Sequence, residues 1–350
     1  MVFSYYLLKI PYTISFKLLS ILKLNNYSAA YFSNLLDYQM MKPVLKYLPE
    51  LKIISKNKKV KAELAKTGVK SSILPAFPQN VLMCRLAAHK FPAKAIKKIG
   101  MRHGPFHFKA LPDKASFLLF DKFIFTSRKE AEIAAKKGIT NGIGLGYPKL
   151  DAAFNGTISD LMLKELANKT GLDRNNKTLL FSATWQKSGM SALYKWQDRI
   201  NELTSEYNVL VTLHPWTDDA VKDKIKNVKG VHLIEDYDTI PYIMLADICI
   251  GDTSSILAEC CALDKPIITF ITPSVPRSVP MVLEMIKSFS LQINDFDELI
   301  PTVNKYITNP KLKQVERHKA NDIMFSNLDG SAALKIAKLV RSEFLIKEVN

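Results

Sequence analysis

Cysteine is scarce in this chain, with four in 350 residues, at positions 84, 249, 260 and 261. None stands in a CxxC pair, and their spacing offers no secreted disulfide framework. They fit a reducing cytoplasm, and Cys249, Cys260 and Cys261 read as small buried apolar residues. Long apolar runs are missing too. Residues 1–24, MVFSYYLLKIPYTISFKLLSILKL, are broken by Lys9, Lys17 and Lys23, so none reaches the ~18 residues that cross a bilayer. No charged leader precedes the apolar start and no small-residue cleavage site follows it, so a signal peptide is not expected. There is no HExxH and no Cys/His set, and neither a metal nor a cofactor is expected. The Asp218-Asp219 pair falls in a polar loop and reads as solvated. Zinc-finger spacing and RRM-type aromatics are absent, which disfavours nucleic acid as a partner. Short-period repeats and low-complexity segments are lacking.

Positive charge is abundant, with Lys and Arg exceeding Asp and Glu by 16. A balance this basic implies an anionic partner, either lipid or a polyphosphate substrate. Apolar residues make up 47% and charged residues 23%, the mixture of a globular protein, and the length suggests two domains. The apolar, aromatic start has two readings. It is an interfacial segment with lysines on lipid phosphates, or an amphipathic element docked on its own domain. Residues 42–70, KPVLKYLPELKIISKNKKVKAELAKTGVK, are strongly basic. They are a solvated face, or a polybasic patch for an anionic membrane.

The chain alternates short apolar runs with helical patterns. Strands are expected at Leu51–Ser55, Val81–Ala87, Lys98–Arg102, Lys122–Thr126 and Gly142–Leu145. Helices are expected at Lys58–Thr67, closed by Gly68, and at Arg128–Lys137, closed by Gly138. A polar stretch over 151–176 marks a domain boundary near 155. The pattern then restarts, with strands at Thr178–Ala183, Asn208–Leu213, Val231–Ile234, Asp247–Ile250 and Ile267–Phe270. Helices are expected at Met190–Glu206, Thr239–Leu245, Ile256–Leu263, Asp295–Ile307 and Ala332–Phe344. Such alternation predicts parallel sheets.

The most informative stretch is ADICIGDTSSILAECCALDKPIITF, residues 246–270. Gly251 ends a strand, and Asp252, Thr253, Ser254 and Ser255 supply capping side chains before an apolar helix. A helix tip after a strand presents free N–H groups to a phosphate, and hydroxyls add donors. The plain alternative is an ordinary capped helix. Four strand ends carry polar residues, namely Thr184, His214, Asp236 and Asp252. In open parallel sheets ligands bind at that edge, which favours the phosphate reading.

Several motifs stand together. They are HG at 103–104, GYPKLD at 146–151, ATW at 183–185, LHPW at 213–216, GDTSSILAECCALDKPII at 251–268 and DGSAA at 329–333. In this order the chain resembles the CDP-glycerol glycerophosphotransferases of teichoic-acid and capsule synthesis, over about residues 95–345. The resemblance implies an α/β, GT-B-like fold of two Rossmann-like domains with parallel sheets facing a central cleft. The first, 1–155, would be acceptor-side, and the second, 156–350, would bind the nucleotide donor, with the last helix packing back on the first domain. It implies transfer of glycerol phosphate, or a similar polyol phosphate, from CDP-glycerol to a hydroxyl of a glycan or lipid-linked acceptor, releasing CMP. The place of work would be the cytoplasmic face of a bacterial membrane.

By the same resemblance His103 is the general base, with Gly104 leaving room for its ring. His107 is a second candidate. His214, held extended by Pro215, binds donor phosphates and when protonated offsets leaving-group charge. Ser254 and Ser255 donate to the diphosphate. Glu259 accepts from ribose hydroxyls or is a surface glutamate. Asp236 touches the cytidine side, and Thr184 and Trp185 form the floor. The chain departs from the family pattern at Arg102, where an aromatic is usual, and in HGPFHFK after the first histidine. It departs again at SVPRSVP, where only Arg277 serves the acceptor. Two other functions share this fold logic: a GT-B glycosyltransferase or epimerase using a UDP- or GDP-sugar, and a non-catalytic membrane-associated partner of polysaccharide synthesis.

Overall fold

The structure, a computed structural model, describes residues 3–105, 113–275 and 278–345. His107 and Arg277 lie outside the described residues. The chain divides into two compact units. One holds residues 1–104, 111–151 and 325–350, and the other holds 105–110 and 152–324. The division falls after Asp151, and the last helix clusters with the first unit.

The first unit is built on seven parallel strands: β1 (Ser28–Phe32), β2 (Lys52–Ser55), β3 (Ser72–Ile73), β4 (Asn80–Cys84), β5 (Lys97–Met101), β6 (Lys122–Phe125) and β7 (Gly142–Gly144). Their order is β3-β2-β1-β4-β5-β6-β7. The second unit has six, β8 (Lys177–Ala183), β9 (Tyr207–Leu213), β10 (Val231–Ile234), β11 (Ile248–Gly251), β12 (Ile267–Phe270) and β13 (Leu291–Ile293), in the order β10-β9-β8-β11-β12-β13. Every described pairing is parallel. Strands buried on both faces explain the unbroken apolar runs, such as Leu179–Phe181 and Val209–Val211, all at most 1% exposed. Each order reverses once, between β1 and β4 in the first sheet and between β8 and β11 in the second. At such a reversal neighbouring connections leave in opposite directions and open a crevice at the carboxyl edge.

Local chemistry places the helices. Asn34, Asn57, Ser127 and Ser159 each cap a helix by accepting an N–H three residues on. Gly68 and Gly138 follow helix ends with φ of +80° and +82°. The core of the first unit is rich in phenylalanine, and Phe117, Phe120 and Phe123 meet edge to face at 4.8 and 5.3 Å. In the second unit Trp196 is fully buried against Phe181.

Two expectations need correction. The strand expected over Val81–Ala87 stops at Cys84, because Arg85 turns to φ +65°. The long helix expected over Met190–Glu206 is a short helix, Leu193–Trp196, and a 3-10 turn, Ile200–Leu203. Leu193, Trp196, Ile200 and Leu203 do share one buried face, so the apolar spacing is real while the backbone is tighter. Helices Leu35–Leu45, Pro280–Phe289 and Gln314–Met324, with strands β1 and β13, were not legible by pattern.

The amino-terminal segment is a helix, Phe3–Ile21. It packs on its own unit through Phe16, which is buried, and Tyr12, whose hydroxyl donates to the Ala76 carbonyl at 2.5 Å. No helix among the described residues is long and apolar enough to cross a membrane.

Candidate active site

The crevice of the second sheet lies between the ends of β8 and β11. β11 ends at Gly251, where a Cβ would sit 2.9 Å from Ser182 Oγ and 3.0 Å from Leu257 Cδ2, so the close approach favours glycine. Asp252 follows and is 1% exposed. Its carboxylate accepts from the Thr184 N–H at 2.9 Å, the Thr184 hydroxyl at 2.8 Å and the Ala192 N–H at 2.9 Å. It also accepts from the N–H groups of Thr253 and Ser254, at 2.5 and 3.0 Å. Burial pushes its acidity toward higher pKa, and these donors oppose the shift. Asp252 and Thr184 therefore fix the loop to each other, and neither the carboxylate nor its surroundings resemble an exposed substrate contact.

The helix tip also differs from expectation. The helix runs only from Ile256 to Ala262. The Ile256 N–H donates to Ser254 Oγ, and those of Leu257 and Ala258 donate to the carbonyls of Ser254 and Ser255. With the Thr253 and Ser254 amides held by Asp252, most backbone donors here are already used, so a phosphate would rely on hydroxyls. Ser255 is exposed and Ser254 is half-buried. Thr253 Oγ1 lies 3.5 Å from Thr184 Oγ1.

His214 follows β9, the neighbour of β8. Its Nδ1 accepts the Trp216 N–H at 3.1 Å. With Nδ1 engaged by its own turn, Nε2 is the ring nitrogen left to face a ligand. Trp216 is 69% exposed and meets His214 edge to face at 5.3 Å and Trp185 at 5.5 Å. Asp236, after β10, is exposed and accepts from the Tyr242 hydroxyl at 2.7 Å. Glu259 is 3% exposed and accepts from the Thr239 hydroxyl at 3.1 Å, so the surface-glutamate reading fails. The loop residues Ser191 and Ala192, tied to Thr184 and Asp252, were hidden by the long helix expected there.

In the first unit His103 and Gly104 follow β5 and are half-buried. A Cβ on Gly104 would meet no described atom within 4 Å. Arg102 points inward. Its guanidinium pairs with Glu130 at 2.8 Å and stacks over Phe125 and Phe117, at 5.3 and 5.7 Å. The arginine thus fills aromatic surroundings through its flat face, which accounts for its place where an aromatic is usual. GYPKLD and DGSAA meet each other within the first unit. Gly146, at φ +110°, brings the chain so close to Ala332 that a Cβ would lie 2.8 Å from that methyl. Among the described residues, no group of three or more His, Cys, Asp or Glu is placed to hold a metal ion.

A family model described as CDP-Glycerol:Poly(glycerophosphate) glycerophosphotransferase matches residues 97–342. The teichoic acid poly(glycerol phosphate) polymerase of Bacillus spizizenii is 22% identical over 134 residues, 36% of this chain. That match covers 34% of the relative, so the chain spans about a third of its length. Among solved structures, the wall teichoic acid polymerase TagF superposes with a TM-score of 0.67 at 15% identity, covering 97% of this chain and 98% of that one. A TagF variant soaked with CDPG gives 0.70 at 14% identity, with the same coverage. UDP-GlcNAc 2-epimerase from Neisseria meningitidis, bound to UDP-GlcNAc, gives 0.60 at 15% identity, covering 92% of this chain and all of that one. At such identities the likeness is one of fold, an α/β fold of the GT-B type that transferases and epimerases share. The family model runs from β5 through the whole second sheet into the last helix, and the chain belongs to the CDP-glycerol:poly(glycerophosphate) glycerophosphotransferase family.

Proposed function

We propose that the chain transfers glycerol phosphate from CDP-glycerol to a hydroxyl of a polysaccharide or lipid-linked acceptor and releases CMP. Support comes chiefly from the carboxyl edge of the second sheet. There Asp252 organises Thr184, Thr253 and Ser254 into one turn beside His214. In this reading the acceptor oxygen attacks the phosphorus that carries glycerol. A new P–O bond forms, the bond from that phosphorus to the bridging oxygen breaks, and CMP leaves with the bridging oxygen. His103 takes the acceptor's proton. His214 donates from Nε2 to donor phosphate oxygens, joined by the hydroxyls of Ser254 and Ser255. Asp252 acts by holding the turn rather than by touching substrate. Glu259 serves the ribose, Asp236 the cytidine side and Arg277 the acceptor.

The test is turnover by purified protein with CDP-glycerol, CDP-ribitol and UDP- and GDP-sugars, read as nucleotide release. CMP formed from a CDP-polyol and no release from the sugars is expected. Release of UDP or UMP alone would replace this reading with a sugar-nucleotide reaction.

The same reading places the chain on the cytoplasmic face of a membrane with anionic lipid. Helix Phe3–Ile21 uses Tyr12 and Phe16 inward and leaves Leu8, Ile10, Ile14, Leu18 and Ile21 between 54% and 77% exposed. Such an apolar stripe with interspersed lysines suits an interface. Sedimentation with anionic liposomes should fall as salt rises, since each basic contact is worth ~1 kcal/mol and is screened. Lack of binding to both anionic and neutral vesicles would leave the stripe without that role.

A further inference from the structure

The first sheet reverses between β1 and β4, and the residue just past β4 is Arg85. Its φ is +65°. Among the described residues Lys23, Asp264, Lys313 and Leu345 share that left-handed region, but each flanks a helix, three after its end and Lys313 just before a start. Arg85 ends a strand. Glycine is the natural residue for such a bend, and a long side chain held there is a sign that the side chain is used.

Arg85 is anchored at both ends. Its backbone N–H continues the ladder to the Met101 carbonyl at 3.0 Å. Its Nε donates to Asp37 Oδ1 at 2.7 Å, and that aspartate side chain is 1% exposed. Asp37 is itself placed by the Asn34 cap of helix Leu35–Leu45 and by the Ser33 N–H on Oδ2 at 3.3 Å. A guanidinium serving only as a counter-ion usually meets the carboxylate as a two-pronged fork. Here Asp37 takes Nε alone. Nη1 and Nη2 have no partner among the described residues, and the side chain is 33% exposed.

We infer that Arg85 is an anion-binding residue at the carboxyl-edge crevice of the first sheet, and that its ligand is the phosphate group of a polyol-phosphate acceptor. The buried carboxylate aims the guanidinium, as outer partners orient a ligating side chain, and the two Nη groups, unpartnered among the described residues, suit two phosphate oxygens. The crevice lies beside the end of β5, because Cys84 and Met101 are register partners and His103 follows Met101 by two residues. Arg85 precedes the segment matched by the family model. The inference rests on the proposed transferase reading, which supplies the acceptor's chemistry.

The experiment measures binding of glycerol 3-phosphate to protein saturated with CMP, so that the donor site is filled, and binding of CDP-glycerol separately. Variants are Arg85→Lys, Arg85→Gln and the double Asp37→Asn/Arg85→Gln, which strands no buried charge if the single change fails to fold. Glycerol 3-phosphate should bind the wild type, inorganic phosphate should compete and glycerol should not. Affinity should drop about tenfold or more in Arg85→Gln and in the double variant, the loss of a charge-assisted contact, and less in Arg85→Lys. CDP-glycerol affinity should stay within about twofold. Wild-type affinity for glycerol 3-phosphate in the double variant overturns the inference, and so does a parallel loss of CDP-glycerol affinity. If CDP-glycerol binds the wild type, such a failure touches Arg85 alone. If it does not bind, the transferase reading falls and takes this inference with it.

Discussion

Asp151 caps the helix that begins at Ala332. Its carboxylate accepts the N–H groups of Ala332 and Ala333 at 3.2 and 2.6 Å, the second across 182 positions of sequence. Helix starts leave donors without partners, and this one is satisfied by a residue from a distant motif. GYPKLD and DGSAA therefore form one structural joint that brings the last helix home to the first unit. Arg341 and Glu343 on that helix then reach Glu50 and Lys97, at 3.4 and 2.8 Å.

Loss of this cap should cost stability and not donor binding. Asp151→Ala should lower unfolding free energy by ~1–2 kcal/mol, read by urea denaturation. CDP-glycerol affinity of the folded variant should match the wild type. A variant of full stability but weakened donor binding would move Asp151 into the substrate site.

Asp252 and the serines beside it should separate cleanly. Asp252→Asn places an amide against four backbone donors and one hydroxyl, so it should destabilise by about 2–4 kcal/mol and also lose donor binding. Ser254→Ala with Ser255→Ala should leave the unfolding transition nearly unchanged while weakening CDP-glycerol by ~1 kcal/mol or more per lost charged hydrogen bond. Calorimetry on both variants decides it, and unchanged affinity in the double serine variant would remove the hydroxyl cradle.

The two histidines should fail in different ways. His103→Ala should depress turnover by ~10²-fold or more with donor affinity nearly intact. His214→Ala should weaken donor binding as well, because its Nε2 proton is assigned to the donor phosphates. A larger loss in His107→Ala would move the base four residues along.

Acid should loosen the start of the last helix. Asp329 accepts from the Ser331 hydroxyl and N–H and pairs with Lys335 at 3.0 Å. These bonds, Ser331 first, hold its carboxyl well below the usual aspartate range. A depressed native pKa means stability that is present above the unfolded value of ~3.9 and lost as pH falls below it. Asp329→Asn should flatten the stability profile between about pH 4 and pH 2. An unchanged acid limb would show that other carboxylates dominate it.

The alternation of apolar runs with helical patterns was enough to place two parallel sheets, and strand ends pointed to Thr184, His214, Asp236 and Asp252. These features are local, since a doubly buried strand and a capped helix are written in consecutive residues. What each side chain does at those ends depended on partners far away. Asp252 looked like a substrate contact until Thr184 and Ala192 were seen to use its oxygens. The Trp216 amide that holds His214 Nδ1 was equally absent from the motif LHPW as a string of residues. The bend at Arg85 and its fork over Asp37 could not be read from either segment, because they lie 48 residues apart. Sequence by itself determined most strands of the two sheets, the family motifs and the polar residues at the strand ends. Tertiary structure decided which polar groups are consumed in holding that edge and which remain for a ligand, because hydrogen-bond partners are fixed by proximity in space.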